Sequence, residues 1–242
     1  MSFYVIIPAR YSSSRLPGKP LMDLGGKPLI QRVYEVAKKS DAKGVIVATD
    51  HEDIINCCDS FGASTVSTST THLTGTDRIA ETVEKIGLSE DSVVVNLQGD
   101  EPFLDFHDIN NLFEFYIGNK KFDVCTLYSQ FTNQEEQGDP NLVKIWVDKQ
   151  GYVKGFSRKQ DYLENNHLVK GRHIGIYIYE VGFIKQFIKW HQTVNEQKEN
   201  LEQLRALDKN KTIGARESIS KVHIGIDTEE DLTKARSLLL ND

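Results

Sequence analysis

The feature that most restricts the fold of this chain is an alternation of short, wholly apolar runs with segments of helical periodicity. Phe3 to Ile7 is a continuous apolar run stopped by Pro8. Gly44 to Thr49 is a second, ending at Asp50, and Ser92 to Leu97 is a third, cut off by Gln98-Gly99-Asp100-Glu101-Pro102. Such runs suit strands covered on both faces, as in a parallel sheet. Between them, Leu29, Ile30, Val33, Tyr34 and Ala37 recur at helical spacing. Further helices are expected over roughly Glu52 to Ser60 and Asp77 to Lys85, with a short strand at Ala63 to Val66. Strands and helices in this order indicate βαβ units with right-handed crossovers.

The second half changes character. Val143 to Asp148, Tyr152 to Ser157 and His173 to Tyr179 are rich in β-branched and aromatic residues, with a turn signal at Lys149-Gln150-Gly151. Helices are expected again at Phe183 to Trp190 and Asn195 to Leu207. The last helix starts at Thr228, where Thr228 and Asp231 form a capping-box signature. No internal repeat, low-complexity tract or long linker interrupts the 242 residues, so the expectation is one compact α/β domain with an inserted, more antiparallel lobe.

Charge and composition narrow the function classes. Lys plus Arg number 29 against 35 Asp plus Glu, a net charge of −6, which argues against a chain built mainly to grip a nucleic-acid backbone. No apolar run approaches the roughly 18 residues that a membrane span needs, and MSFYVIIPAR reads as a strand rather than a signal peptide. Cys57, Cys58 and Cys125 suit neither a zinc site nor a disulfide framework, so a cytoplasmic globular protein is expected.

The strongest local signal is the loop Pro8 to Lys19, which places Arg10, Arg15 and Lys19 just beyond the C-terminal end of the first strand. In open α/β sheets ligands bind at that edge. Arginine forks match phosphate oxygens, lysine adds a mobile point charge, and Gly and Ser let backbone approach an anion. The loop has neither a P-loop nor a dinucleotide-binding fingerprint, which leaves a polyphosphate site built on side-chain cations.

A second signal is Asp100, ending the third buried strand opposite that loop, in a position to bind Mg²⁺; the alternative is a turn aspartate that satisfies backbone amides. Asp227 is placed for the same role, or else as a charge beside the Thr228 cap. Arg78 could touch a nucleotide or simply belong to the first turn of a helix. The seven histidines show no metal-ligand spacing, and Ser12 to Ser14 lack the partners of a serine hydrolase.

The segments PARYSSSRLPGKPL, VATDHEDI, TGTDRIAE, NLQGDEP, NLVK, FSR, RHIGIY, LEQLRAL and GIDTEEDL occur in an order and spacing that resemble the 3-deoxy-manno-octulosonate cytidylyltransferases, the CMP-Kdo synthetases of Gram-negative bacteria. The resemblance covers nearly the whole chain. It implies a GT-A-like (Rossmann-like) nucleotidyltransferase fold with a mixed sheet. Approximately residues 1–125 and 210–242 would be the nucleotide-binding core, and approximately 126–209 a sugar-binding and dimerisation lobe. It also implies a homodimer, Mg²⁺ dependence, and transfer of CMP from CTP to Kdo for lipopolysaccharide synthesis.

By the same resemblance, Arg10, Arg15 and Lys19 hold the CTP triphosphate with help from Ser13, and Ala9, Arg78 and Gln98 line the cytidine pocket. Asp100 and Asp227 coordinate Mg²⁺, and Arg158, His173, Tyr177, Glu202 and Gln203 surround the sugar acid. One departure stands out. The family's Ile-Pro segment with a further arginine after FSR is absent, because Arg158 runs directly into Lys159-Gln160-Asp161. Lys159, Lys170 and Arg172 are the candidates to replace that cation, unless the acceptor is a modified octulosonate. The other readings are a sialic-acid type cytidylyltransferase and a catalytically silent nucleotide-binding regulator.

Overall fold

A computed structural model describes residues 1–12, 15–131, 137–159, 168–220, 222 and 224–240. Strand β1 (Phe3–Ala9) pairs in parallel with β2 (Gly44–Thr49) and β4 (Val93–Leu97), and β2 pairs in parallel with β3 (Ser64–Ser67). The long strand β8 (Val169–Glu180) runs antiparallel between β4 and β5 (Val124–Ser129), and β9 (Ile213–Glu217) joins β5 in parallel. The order is β3-β2-β1-β4-β8-β5-β9. A hairpin of β6 (Lys144–Val147) and β7 (Val153–Ser157) attaches through β6 to the first residues of β8.

The wholly apolar runs arise because both faces of the sheet are covered. In β1, Phe3, Val5 and Ile7 enter one core with α1 (Leu29–Lys38), α2 (Glu52–Ser60) and α4 (Phe106–Gly118). Ile6 enters the opposite core with Ile79 and Val83 of α3 (Gly75–Lys85). β4 repeats the division, with Val93, Val95 and Leu97 on the first side and Val94 on the second. Helices α5 (Val181–Phe187), α6 (Val194–Glu199) and α7 (Leu204–Asp208) follow β8, and α8 (Glu229–Leu240) closes the described chain.

The expected elements of the first half are present within a few residues. The Thr228 cap is also present, since the Asp231 N–H donates to Thr228 Oγ1 at 3.2 Å and Thr228 N–H donates to Asp231 Oδ2 at 2.9 Å. One expected helix is divided: Asn195 to Leu207 breaks into α6 and α7 because Asn200 adopts a left-handed φ of 53°. Asparagine tolerates that region. A buried bidentate pair, Arg205 Nε and Nη2 to Glu196 at 2.8 and 2.5 Å, clamps the two pieces together. Elements α4, β5 and β9 occupy stretches that periodicity leaves unassigned, and β8 begins at Val169, before the expected His173, because β6 pairs with its first four residues.

The fork where β8 parts from β6 for β5 leaves no room for a side chain at Gly171. A Cβ on Gly171 would lie 2.6 Å from Ser129 O and 2.7 Å from the Tyr128 ring. The carbonyl belongs to a paired strand and has little freedom to move. Gly171→Ala should therefore destabilise the fold by about 1–3 kcal/mol, seen as a lower urea midpoint, and an unchanged midpoint would show that the strands separate freely there.

Candidate active site

The site assembles at the C-terminal ends of β1 and β4. Ala9 is the buried last residue of β1, and Arg10 is exposed at the start of the loop. The loop folds back at Gly18, whose φ of 69° is open to glycine at little cost, and the Gly18 N–H donates to Tyr11 O at 3.0 Å. Lys19 then opens a short 3₁₀ turn (Lys19–Leu21) that carries its side chain inward.

Lys19 Nζ donates to Asp100 Oδ2 at 2.8 Å, to Asp227 Oδ1 at 3.1 Å and to the Ile226 carbonyl at 2.8 Å. Arg15 Nη2 reaches the other oxygen of Asp227 at 3.0 Å. Two cations of the loop thus meet two carboxylates from distant parts of the chain. The Asp227 segment is held in place because the Ile226 N–H donates to Asp100 O at 2.9 Å. Both aspartates turn their carboxylates to Lys19, although Asp227 also directly precedes the Thr228 cap. Asp227 is not the cap of α8, since Thr228 and Asp231 cap it, and the Asp100 carboxylate faces Lys19. Burial works to lower the Lys19 pKa, but the charges of Asp100 and Asp227 outweigh it and raise the value. Burial likewise works to raise the Asp227 pKa, and Lys19 and Arg15 more than reverse it.

Three oxygens, one from each carboxylate and one from Ile226, therefore converge on a single cationic point. Hard oxygens such as these two carboxylates and one carbonyl are what Mg²⁺ takes, usually with phosphate oxygens and water completing the shell. The donor set fits that ion.

Beside this cluster lies a cleft of about 510 Å³, lined by all five expected sugar-site residues, Arg158, His173, Tyr177, Glu202 and Gln203. An adjoining hollow of about 630 Å³ contains Arg10 and Arg78, and the two share Gln98, Arg158 and Glu202. Ser13 lies outside the described residues, as do residues 160–167, where the altered segment after Lys159 falls.

The side chains of the cleft are held from behind. Gln98 N–H donates to Gly175 O of β8 at 3.0 Å, and the Gln98 amide nitrogen donates to Asn96 Oδ1 at 3.0 Å. His173 Nε2 lies 2.9 Å from Thr126 Oγ1, and burial pushes its pKa down to about 3, so the ring is neutral. Its ring stands beside that of Tyr177 at 5.2 Å. Arg158 Nη1 donates to the Asn141 carbonyl at 2.9 Å. Behind it, Lys144 Nζ donates to the carbonyls of Arg158, Leu142 and Asp139, which ties the end of β7 to that same loop.

Glu202 Oε2 accepts from Thr76 Oγ1 at 3.0 Å, and burial raises its pKa to about 7 despite that bond. Glu101 is also raised to about 7, first by burial and then by the charge of Asp100. The Gly175 N–H, which donates to it at 2.9 Å, and Arg172 oppose the shift. Motif reading singles out Asp100 and passes over its neighbour Glu101. Asp50 also escapes it, while Arg172 is one of the three candidate cations to replace the family's missing arginine. Arg172 lines the cleft, whereas Lys159 and Lys170 are exposed. Asp50, at the end of β2, binds Arg78 Nη2 at 2.8 Å, so Arg78, only 2% exposed, is turned toward protein and not left as a free cation.

A sheet covered on both faces, a cationic loop after its first strand and paired carboxylates facing that loop define a nucleotidyltransferase of Rossmann-like fold. The chain belongs to the cytidylyltransferase family, which matches it over residues 4–213. It is 44% identical over 258 residues to the 3-deoxy-manno-octulosonate cytidylyltransferase of Pasteurella multocida, with 98% of each chain covered. It is also 44% identical over 249 residues to that of Idiomarina loihiensis, again with 98% of each covered. The solved structure of a CMP:2-keto-3-deoxy-manno-octonic acid synthetase complexed with CTP superposes on it with a TM-score of 0.89 at 34% identity. That match covers 100% of this chain and 99% of the other.

The Glu202 carboxyl makes a pH-dependent contribution to stability. Its folded pKa, about 7, lies above the ordinary glutamate value of 4.5, so between the two the folded form holds more protons than the unfolded one. Stability from this group is present below the unfolded value and is lost as pH rises through the folded value. Glu202→Gln should therefore lose less Tm than the wild type from about pH 5 to about pH 8. Parallel Tm profiles would mean that Glu202 is ionised in the folded protein throughout.

Proposed function

We propose that the protein transfers CMP from CTP to 3-deoxy-manno-octulosonate, releasing pyrophosphate and supplying lipopolysaccharide synthesis. The observation that carries this reading is the meeting of Arg15, Lys19, Asp100 and Asp227 at the mouth of a cleft walled by Arg158, His173, Tyr177, Glu202 and Gln203. The names and full-length identity of the relatives support it.

In this reading Arg10, Arg15 and Lys19, with Ser13 and nearby backbone, neutralise the triphosphate. Ala9 and Gln98 border the cytosine. The anomeric hydroxyl of the sugar acid displaces pyrophosphate in line at the α-phosphorus, so most of the catalysis is positioning and charge stabilisation. Asp100 and Asp227 would hold Mg²⁺, which when bound neutralises phosphate oxygens and lowers the pKa of the attacking hydroxyl. Lys19, seated beside those carboxylates, would offer its ammonium to the phosphate oxygens. Neutral His173 and the high-pKa hydroxyl of Tyr177 supply hydrogen bonds to sugar hydroxyls without adding charge. Arg158 and Arg172 are the cleft's cations for the sugar carboxylate, and Arg172 takes the place that an arginine after FSR holds elsewhere in the family.

The same reading makes the protein a cytoplasmic homodimer. The three free cysteines fit a reducing compartment. The test of the function is pyrophosphate release from CTP and Mg²⁺ with a panel of sugar acids. Rapid release with 3-deoxy-manno-octulosonate is expected. Release only with a sialic acid or an altered octulosonate would reassign the acceptor, and CTP binding with no release would leave a nucleotide-binding regulator.

Two variant series refine it. Asp100→Asn and Asp227→Asn should each raise the Mg²⁺ concentration for half-maximal rate by more than the roughly 10–100-fold that loss of an outer-shell partner causes. Unchanged metal dependence in either would remove that residue from the metal site. Arg158→Ala should raise the sugar-acid KM by about ten- to a hundredfold, because a charge-assisted hydrogen bond is worth roughly 1.5–3 kcal/mol. Arg158→Lys should also be impaired, since a point charge does not reproduce the planar fork. An unaffected sugar KM in Arg158→Ala, with a raised one in Arg172→Ala, would give the carboxylate to Arg172 alone.

A further inference from the structure

The contacts around Asp50 point to a role for Arg78 that differs from touching a base, and this inference rests on the reading of the cationic loop as the CTP triphosphate site. We propose that Arg78 and Asp50 form a strut that sets the position of that loop, so that Arg78 acts on CTP through Asp50.

The strut begins in the first turns of α3. There the guanidinium of Arg78 is enclosed, Nη2 donating to Asp50 Oδ2 at 2.8 Å and Nη1 donating to Thr68 Oγ1. The side chains of this ion pair are only 3% and 12% exposed, so the pair is shielded from solvent. Thr68 is itself anchored on β2, donating through both N–H and Oγ1 to the Thr49 carbonyl at 2.8 and 3.0 Å. Arg78 is thereby fixed to the ends of β2 and β3, and both terminal nitrogens are occupied by protein.

From Asp50 the contacts continue into the loop. The second carboxylate oxygen accepts the Tyr11 N–H at 3.4 Å, and the next residue, His51, stacks its ring on that of Tyr11 at 3.9 Å with 15° between planes. Tyr11 in turn joins both ends of the loop. Its carbonyl accepts the Gly18 N–H, and its ring lies 3.7 Å from where a Cβ on Gly18 would stand. Gly18 immediately precedes Lys19. The route Arg78, Asp50, Tyr11, Gly18, Lys19 therefore connects α3 to the ammonium that faces Asp100 and Asp227; it brackets Arg15, and Arg10 adjoins it at Tyr11. Removal of either end of the pair leaves the other charge shielded and uncompensated, which relaxes the Tyr11 contact. Asp50 and Arg78 are positioning residues on this account.

The experiment compares wild type, Asp50→Asn, Arg78→Met and the double variant. Thermal melting of each accompanies CTP binding by calorimetry without sugar, steady-state KM for CTP and for the sugar acid, and the preference for CTP over UTP. Both single variants should weaken CTP by about tenfold, the double variant should be no weaker than the worse single, and the sugar KM and the CTP-over-UTP preference should stay at wild-type values. A general loss of structure would lower both substrates together and is separated by that split. Loss of CTP-over-UTP preference in Arg78→Met alone would overturn the proposal in favour of a direct base contact, and additive losses in the double variant would overturn the coupling. If Arg78→Met does not fold, the near-isosteric Asp50→Asn decides: unchanged CTP affinity overturns the strut. Because calorimetry needs no turnover, failure of the wild type to release pyrophosphate counts against the proposed reaction and leaves the strut tested.

Discussion

The site depends on one interaction, the seating of the Lys19 ammonium between Asp100 and Asp227. It joins the loop after β1, the end of β4 and the segment before α8, three regions with no sequence proximity. The ammonium is largely withdrawn from water, which would ordinarily favour its neutral form, yet two nearby carboxylates keep it charged. The geometry is self-consistent because the backbone is tied as well, Ile226 donating to Asp100 O while its own carbonyl accepts from Lys19. A point that holds an ammonium among three oxygens is also one that a small divalent cation can occupy, so the resting contact and the proposed metal site share the same carboxylates.

The rest of the cleft follows from the central position of β8. Running antiparallel beside β4, it sets Gly175 against Gln98 and brings His173 and Tyr177 to the same opening. Glycine at 175 allows this close approach, since a Cβ would stand 3.0 Å from Glu101 Oε1 and 3.1 Å from Gln98. The raised pKa values of Glu101 and Glu202 have a joint consequence. A cleft proposed to admit a triphosphate and a sugar acid would be repelled by fully ionised walls, and burial reduces that charge near neutral pH.

Much of the framework was legible in the amino-acid order because its causes are local. Strands β1, β2 and β4 read as apolar runs because each is buried on both faces, and the Thr228 cap could be named because its two bonds lie within one turn. The cations of the loop and Asp100 were also legible, through residue type at strand ends, and Asp227 through its place before the Thr228 cap. Less legible were β5, whose buried run carries polar Thr126 and Ser129, and β9, which ends in exposed Arg216 and Glu217, and the break at Asn200, where the clamp between Arg205 and Glu196 is a packing decision.

The order of amino acids therefore specifies the set of elements and the inventory of chemical groups that flank them. The tertiary structure decided their partners. It placed Lys19 between two aspartates, turned Arg78 to Asp50, brought Arg172 to the cleft while leaving Lys159 and Lys170 exposed, and buried Glu101 and Glu202. Helical and strand periods record only which face of a segment is buried. Ion pairing and desolvation depend on which distant segments meet, and that is settled only when the sheet has closed.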